Sequence, residues 1–176
     1  SLARRGVNVI LTYNTNKAEA EGAVAEIEAA GARAVALQLD TGNTGSFDAF
    51  VASVRQALEA FGAKDFDYLV NNAGTSYHAS IAETTEEAFD GLVNVHLKGV
   101  FFLTQKLLPL VADGGRIINI SSGLARFSVA GSSAYAAMKG AIEVFTRYLA
   151  KELGARGITA NTVAPGAVMT DFSGGI

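Results

Sequence analysis

The chain has 176 residues, of which 49% are hydrophobic and 18% are charged, and a formal net charge of −3. This is enough apolar sequence for one domain with a sizeable core, and the small negative charge gives no electrostatic reason to expect nucleic-acid binding. The absence of cysteine excludes disulfides and thiolate metal sites and suits a reducing compartment such as the cytoplasm. No run approaches the roughly 20 apolar residues of a membrane span, so neither a membrane partner nor a metal site is predicted.

Short apolar runs alternate with amphipathic segments in chain order. Residues 1–6 are typical of the last turn of a helix, which Gly6 ends. The predicted strands are 7–13, 33–40, 66–74, 115–122 and 158–166. The predicted helices are 16–31, 47–61, 84–111 and 133–157, and 167–176 is predicted to be a loop.

Two of the helix starts carry capping signals. Asn16 with Glu19 has the spacing of an N-terminal cap, and Thr84 with Glu87 has the spacing of a capping box. The alternation as a whole predicts an α/β fold, a Rossmann-like doubly wound parallel sheet with helices on both faces. No repeat or linker interrupts it, so residues 1–176 are interpreted as one domain.

Polar residues and glycines stand where four of the predicted strands end. They are Asp40, the run 71–74 (NNAG), the pair Ser121–Ser122 and the pair Pro165–Gly166. Ligands bind at the carboxyl ends of the strands in such a sheet, so these residues indicate a functional crevice. Asn and Gly are also common in ordinary turns, which is the alternative reading.

Tyr135 and Lys139 are four residues apart in a predicted helix and therefore share a face. A phenol is a poor base at neutral pH, but a nearby ammonium favours the phenolate and lowers its pKa. Such a tyrosine can exchange a proton with an alcohol or carbonyl oxygen, and Ser122, at the end of the preceding strand, can hydrogen-bond the same oxygen. A packing Tyr beside a surface Lys is the alternative.

The motifs NNAG, IINISS, YAAMK and VAPGAVMT, in this order, resemble those of the short-chain dehydrogenase/reductases. The resemblance is to their small single-domain subclass, which includes 3-oxoacyl reductase-like members, and it covers nearly the whole chain. It implies a partial dinucleotide-binding domain in which Tyr135 is the general acid/base and Lys139 lowers its pKa and holds the nicotinamide ribose. Ser122 would orient the reacting oxygen while a hydride passes between the nicotinamide and a carbonyl or secondary alcohol carbon.

The resemblance also implies a set of cofactor contacts. Asn71 would support the sheet, Ala73 and Gly74 would let the cofactor approach closely, and Asp40 would hydrogen-bond the adenine. The implied cofactor-binding positions are Tyr13, Asn14, Thr15, Asp40, Thr41, Asn72, Ala73, Gly74, Tyr135, Lys139, Pro165, Gly166, Val168 and Thr170.

This sequence departs from the family pattern in two places. His96 stands where the family has a catalytic Asn that holds a water next to the Lys, and neutral imidazole has the donor and acceptor to hold that water. A histidine that merely packs in the helix is the alternative. At the end of the strand where NAD-preferring members have an acidic residue, this chain has Tyr13, so NADP(H) is favoured over NAD(H).

The substrate and partners are less constrained. Only Arg116 is basic just before the strand with Ser122, which favours a small free ketone or alcohol over a carrier-bound one. Family members associate through the two helices that carry His96 and Tyr135, so a homotetramer or homodimer is expected. The rival hypotheses are an epimerase or dehydratase of the extended branch, which also uses a Tyr–Lys pair, and a non-catalytic dinucleotide-binding member.

The opening residues match the end of the family's first helix and its second strand. The family's first strand and glycine-rich turn would precede residue 1, and its last elements would follow residue 176. That first strand would lie between the strands at 7–13 and 66–72. The expectation is therefore a piece of a longer protein with a gap in its sheet.

Overall fold

The computed structural model describes residues 2–168. Its strands are β1 (Val9–Tyr13), β2 (Ala34–Gln38), β3 (Phe66–Asn71), β4 (Val111–Ile120) and β5 (Thr159–Val163). Its α-helices are α1 (Lys17–Ala29), α2 (Phe47–Ala60), α3 (Glu86–Val93), α4 (Val100–Leu107) and α5 (Ser133–Glu152). A π-helical segment covers Asn94–Gly99, and 3-10 turns cover Ala3–Arg5, Thr44–Ser46, Leu108–Leu110, Gly123–Ala125 and Gly154–Arg156.

The strands form two parallel sheets. One pairs β1 with β2, and the other has the order β3-β4-β5. The predicted parallel α/β fold is confirmed. Within residues 2–168 no ladder joins β1 to β3, and this is where the sequence predicted an interruption of the sheet.

The ends of several elements differ from the prediction. β4 begins at Val111 rather than at residue 115, because its first residues continue the pairing with β3 across a register shift. β3, β4 and β5 end at Asn71, Ile120 and Val163, so the polar residues beyond them lie in loops. The opening residues form a 3-10 turn that Gly6 ends in the left-handed conformation, with φ of 77°.

One of the two predicted caps is confirmed. The Asn16 side chain accepts a hydrogen bond from the Glu19 amide at 3.2 Å and donates one to the Glu19 carboxylate at 2.8 Å. The other prediction is wrong by one residue, since Thr85 caps α3 by accepting from the Ala88 amide at 3.2 Å. The Thr84 hydroxyl instead donates to the Ser80 carbonyl at 2.8 Å, which fixes the turn before the helix.

The single helix predicted over 84–111 is divided into α3, the π-helical segment and α4. Gly99 ends the π-helical segment, and a Cβ at this position would collide with the Thr41 carbonyl. A glycine is therefore required where the helix backbone touches the loop that follows β2. π-helical turns inside α-helices are frequent at functional sites, and this one contains His96.

Three groups of buried apolar residues hold the elements together. The first packs α2 and α4 against the strands around Phe47, and the second packs α5 against β4 around Ile117. The third joins α3 to α5 around Leu92 and includes Tyr135. Among residues 2–168, no helix combines the length and apolar character needed to cross a bilayer.

Candidate active site

Hydrogen bonds join the end of β4 and the residues that follow it to α5. Lys139 Nζ donates to the Ile120 carbonyl at 2.8 Å, and the side chains of Ser122 and Tyr135 are hydrogen-bonded to each other. The Ser122 hydroxyl also accepts from the Leu124 amide at 3.2 Å and so caps the turn at Gly123–Ala125. The structure therefore brings together the serine, tyrosine and lysine that the sequence predicted to share a site.

Tyr135 is buried, with 9% of its surface exposed. Burial raises the pKa of its phenol above the ordinary 10, and the hydrogen bond with Ser122 offsets part of that rise. The expectation that Lys139 lowers this pKa is therefore not met: desolvation disfavours the phenolate. Lys139 Nζ lies 5.5 Å from the centre of the Tyr135 ring, and its hydrogen bond goes to a backbone carbonyl. At neutral pH the phenol keeps its proton.

Lys139 is buried as well, with 5% of its surface exposed. Burial lowers the pKa of its ammonium to about 8, so this side chain is mostly charged at neutral pH. An ammonium has three donors, and the structure assigns one of them to the Ile120 carbonyl. The other two are available for oxygen acceptors that approach Tyr135.

His96 extends from the π-helical segment into the same cluster. Its ring meets the Tyr135 ring edge to face, and its exposed fraction is 1%. Nε2 lies 2.8 Å from the Thr75 carbonyl oxygen and 3.1 Å from the Thr75 amide nitrogen, so the tautomer decides which of the two it bonds. Within residues 2–168, Nδ1 has no hydrogen-bond partner although it is buried.

The charge state of His96 follows from this position. Burial, with the nearby positive charge of Lys139 as the second cause, lowers the pKa of the imidazole to about 4, against a smaller opposing effect of the Thr75 backbone. The ring is therefore neutral at neutral pH. Because a buried polar atom without a partner is costly, Nδ1 marks a place where a small polar molecule would be bound.

A buried amide network lies just behind this cluster. Asn71 Nδ2 donates to Thr104 Oγ1 at 3.0 Å and to Asn119 Oδ1 at 2.7 Å, and Asn119 Nδ2 donates to Thr146 Oγ1 at 2.9 Å. Asn119 and Thr104 are completely buried. The network ties β3 and β4 to the helices on both faces, in agreement with the predicted sheet-supporting role of Asn71.

Most of the predicted cofactor contacts lie in loops at the carboxyl ends of the strands. Asp40 Oδ1 accepts from the Gly42 amide at 2.8 Å, and Gln38 Nε2 donates to the Asn14 carbonyl at 3.0 Å. Thr170 lies outside the described residues. Tyr13 is the last residue of β1, and Asn14 and Thr15 follow it. The loop after β2 holds Asp40 and Thr41, that after β3 holds Asn72, Ala73 and Gly74, and that after β5 holds Pro165, Gly166 and Val168, while Tyr135 and Lys139 lie in α5.

The turn after β4 touches one of these loops directly. The Gly123 amide donates to the Pro165 carbonyl at 2.8 Å, so the turn that begins at Ser122 lies against the loop after β5. The ring of Phe127 folds back near Gly123, and 72% of its surface is exposed. The sequence did not predict this aromatic side chain at the site, since one Phe in a loop has no periodicity that points to it.

Two other neighbours were also missed. Glu143 continues the spacing of Tyr135 and Lys139 by one more turn, a signal that the sequence does contain. Its Oε1 lies 3.1 Å from the hydroxyl of Ser121, which is 2% exposed. Thr75, which holds His96, follows the NNAG motif directly, but only the folded structure shows its contact.

The family model for short chain dehydrogenases matches residues 1–176. This chain belongs to the short-chain dehydrogenase/reductase family. The family consists of NAD(P)-dependent enzymes, and Ser122, Tyr135 and Lys139 lie in two of the motifs that suggested the resemblance.

Three relatives illustrate the match. The short chain dehydrogenase/reductase AacuN of Aspergillus aculeatus is 38% identical over 172 residues, 97% of this chain and 63% of that protein. The 3-oxoacyl-[acyl-carrier-protein] reductase FabG of Staphylococcus aureus is 36% identical over 174 residues, 98% of this chain and 69% of that protein. The structure of the landomycin C-6 ketoreductase LanV with bound NADP and rabelomycin superposes with a TM-score of 0.90 at 37% identity, over 98% of this chain and 72% of that one. The chain thus spans less than two thirds of AacuN.

Proposed function

We propose that the protein is an NADP(H)-dependent oxidoreductase that interconverts a ketone and a secondary alcohol, with Tyr135 as general acid/base. The observation that carries the proposal is the group of Ser122, Tyr135 and Lys139, assembled at the carboxyl end of β4 with the tyrosine and the lysine buried. A binding-only domain has no need of a phenol, a hydroxyl donor and a buried ammonium in one place. The solved ketoreductase with bound NADP supports the same reading.

The state of Tyr135 favours the reducing direction. Its raised pKa keeps the phenol protonated, so it is ready to donate a proton to the oxygen of a ketone as that oxygen gains negative charge. Ser122, already hydrogen-bonded to Tyr135, is placed to donate to the same oxygen. A nicotinamide cofactor, when bound, supplies the hydride that reduces the carbonyl carbon.

The residues present fit such a cofactor. Lys139 has donors for the two hydroxyls of a ribose beside its bond to Ile120. Tyr13 at the end of β1 and the following Asn14 and Thr15 include no carboxylate, and the ammonium of the nearby Lys17 pairs with Glu21 at 3.2 Å. The absence of an acid at these three positions suits a 2′-phosphate, which supports NADP(H) over NAD(H).

We infer that His96 holds a water molecule through Nδ1 and connects Lys139 to solvent. The support is the unpartnered, buried Nδ1 in a ring that touches Tyr135. In either tautomer a neutral imidazole keeps Nδ1 as a donor or an acceptor for that water. The proton that Tyr135 gives up is then replaced from solvent through this water and the Lys139 ammonium.

The proposed substrate is a free ketone rather than one tethered to a carrier protein. Arg116, the basic residue expected near a carrier contact, donates to the carbonyls of Gly114 and Gly115 within its own strand. The exposed ring of Phe127 next to the site suits an apolar substrate. LanV, a solved relative, was crystallised with rabelomycin.

We further propose a homodimer or homotetramer formed through α4 and α5. Phe101 packs on Phe102 and Phe145 at centroid distances of 5.2 and 4.8 Å, yet Phe101 and Phe102 remain 41% and 40% exposed. Aromatic clusters left at a surface are typical of subunit contacts.

The cysteine-free composition supports a cytoplasmic location.

The test is a panel of ketones incubated with the full-length protein while NADPH oxidation is followed at 340 nm. We expect turnover with NADPH, an alcohol as product, and complete loss of turnover in Tyr135→Phe. Tight NADPH binding without oxidation would favour the non-catalytic alternative, and an epimerised or dehydrated product without net NADPH consumption would favour the extended-branch one.

A further inference from the structure

The last residue of β4 and the two residues after it face three residues of α5 that are spaced one helical turn apart. Two of these pairs belong to the proposed reaction, while the middle pair has no role in it so far. The pairs are Ile120 with Lys139, Ser121 with Glu143, and Ser122 with Tyr135.

The middle pair is well enclosed. Ser121 has 2% of its surface exposed, and its Oγ lies 3.1 Å from Glu143 Oε1 and 3.2 Å from the Lys139 carbonyl oxygen. A hydroxyl has one proton to donate, and a carboxylate is the stronger acceptor of the two. The Glu143 side chain is only 17% exposed, so solvent does not readily replace it.

The second oxygen of the carboxylate meets a different partner. Arg126 Nη2 lies 3.5 Å from Glu143 Oε2, and the Arg126 side chain is 69% exposed. Ion pairs that are open to solvent contribute little, because water and salt screen them. The contact that distinguishes Glu143 is therefore the hydrogen bond from Ser121.

We propose that Glu143 is a positioning residue: by holding the Ser121 hydroxyl it fixes the end of β4 so that Ser122 stays on the Tyr135 phenol. The inference rests on the proposed reaction, in which Ser122 and Tyr135 act on the same oxygen. Ser121 and Ser122 are adjacent in the chain, so a backbone shift at Ser121 on loss of this bond displaces Ser122. Small displacements of reacting groups are costly in rate.

The kinetic test uses the full-length protein and two variants of one residue. Glu143→Gln keeps an acceptor for Ser121, and we expect its kcat for ketone reduction to stay within about threefold of the wild type. Glu143→Leu removes the side-chain acceptor and leaves only the Lys139 carbonyl, and we expect a fall of at least tenfold in kcat, with the KM for NADPH within about twofold. Such a tenfold loss corresponds to about 1.4 kcal/mol of transition-state stabilisation.

A spectroscopic test does not depend on turnover. With tyrosine labelled at 13Cζ, the Tyr135 resonance is assigned by its absence in Tyr135→Phe, and its position reports the hydrogen bond to the phenol. We expect it to move in Glu143→Leu and not in Glu143→Gln. The charged or titratable groups that face this phenol, Lys139 from α5 and His96 from the π-helical segment, are unchanged in both variants.

Two controls complete the design. Ser121→Ala removes the donor and leaves the carboxylate, and we expect the same resonance shift and the same loss in kcat. This variant tests the role of the Ser121–Glu143 hydrogen bond even if Glu143→Leu does not fold. Arg126→Ala removes the ion pair alone, and we expect activity within about twofold of the wild type.

Three results would overturn the proposal. They are wild-type behaviour of both Glu143→Leu and Ser121→Ala, a Glu143→Gln variant as impaired as Glu143→Leu, or an Arg126→Ala variant as impaired as either. A wild-type protein that oxidises no NADPH with any ketone would defeat the proposed function instead, and the Tyr135 resonance would still decide the role of Glu143.

Discussion

His96 and Tyr135 meet edge to face, with ring centroids 5.3 Å apart and ring planes at 86°. One imidazole nitrogen is held by the backbone of Thr75, and the other, Nδ1, is buried without a partner among residues 2–168. If His96 served only to fill the helix interface, Nδ1 would be buried without a hydrogen bond, which costs free energy. The arrangement instead fits a bound water beside the phenol.

This relationship leads to a prediction for the site of the proposed water. His96→Asn replaces one pair of donor and acceptor groups with another, and we expect turnover to stay within about tenfold of the wild type. His96→Leu removes both groups, and we expect a loss of one hundredfold or more. Steady-state kinetics with saturating NADPH provides the measurement, with Tyr135→Phe as the inactive reference. A His96→Asn variant as inactive as Tyr135→Phe would contradict the water-holding role.

The same histidine predicts how stability depends on pH. Its pKa is about 4 in the folded protein and near 6.5 when unfolded, so the unfolded state binds the extra proton between these values. The contribution is fully present above pH ~6.5 and is lost as the pH falls towards 4, by roughly 3 kcal/mol in the free energy of unfolding.

Urea denaturation at pH 7.5 and pH 4.5 measures this loss. We expect His96→Asn to lose less stability between the two pH values than the wild type does. The exposed His78 supplies the control, because His78→Asn should leave the wild-type difference unchanged. An equal pH dependence in all three proteins would rule out a buried neutral His96.

Cofactor preference is predicted to depend on the loop after β1. Tyr13→Asp places a carboxylate where a 2′-phosphate is proposed to bind, and repulsion should lower kcat/KM for NADPH by at least tenfold while that for NADH is kept or improved. Tyr13→Asn, which changes the side chain without adding charge, is the matched control. If the wild type already uses NADH as well as NADPH, the proposed preference is wrong.

Phe127 predicts a preference for apolar substrates. Its ring lies near Gly123, next to Ser122, and is largely exposed, so a ring system bound at the site would cover it. We expect Phe127→Ala to raise the KM for a bicyclic ketone such as 2-decalone by about tenfold, a change of about 1.4 kcal/mol. The KM for a small ketone such as ethyl acetoacetate should change less than twofold.

The control for Phe127 is Tyr148→Ala. Tyr148 is 64% exposed on α5, more than three turns beyond Tyr135, and its loss should change neither KM. Equal effects of Phe127→Ala on the two ketones would show that the ring does not select the substrate.

Much of this fold is visible in the sequence because periodicity reports burial directly. The apolar runs around Ile10 and Ile118 locate strands, and the steps of three and four from Phe47 locate α2. The π-helical segment within 84–111 is not visible in this way, since an apolar pattern does not locate a single wider turn. The close approach of Gly99, the last residue of that segment, to Thr41 is equally invisible, since the two residues are 58 positions apart.

The site, like the fold, can be predicted from the sequence only in part. Spacing alone predicts that Tyr135 and Lys139 share a face, but the direction of the Tyr135 pKa depends on how deeply the phenol is buried. The capping threonine was misplaced by one residue because Ser80 competes for the hydroxyl of Thr84. Packing between segments that are distant in the chain decides such outcomes, and a local sequence pattern carries no information about it.

The contact between Gly99 and Thr41 leaves no spare volume between the loop after β2 and the segment that carries His96. Thr41 and Asp40 belong to the region proposed to meet the adenosine end of the cofactor, and His96 lies three residues before Gly99. The loop after β2 and the segment that carries His96 are therefore in direct backbone contact, and a side chain at position 99 would push the two apart.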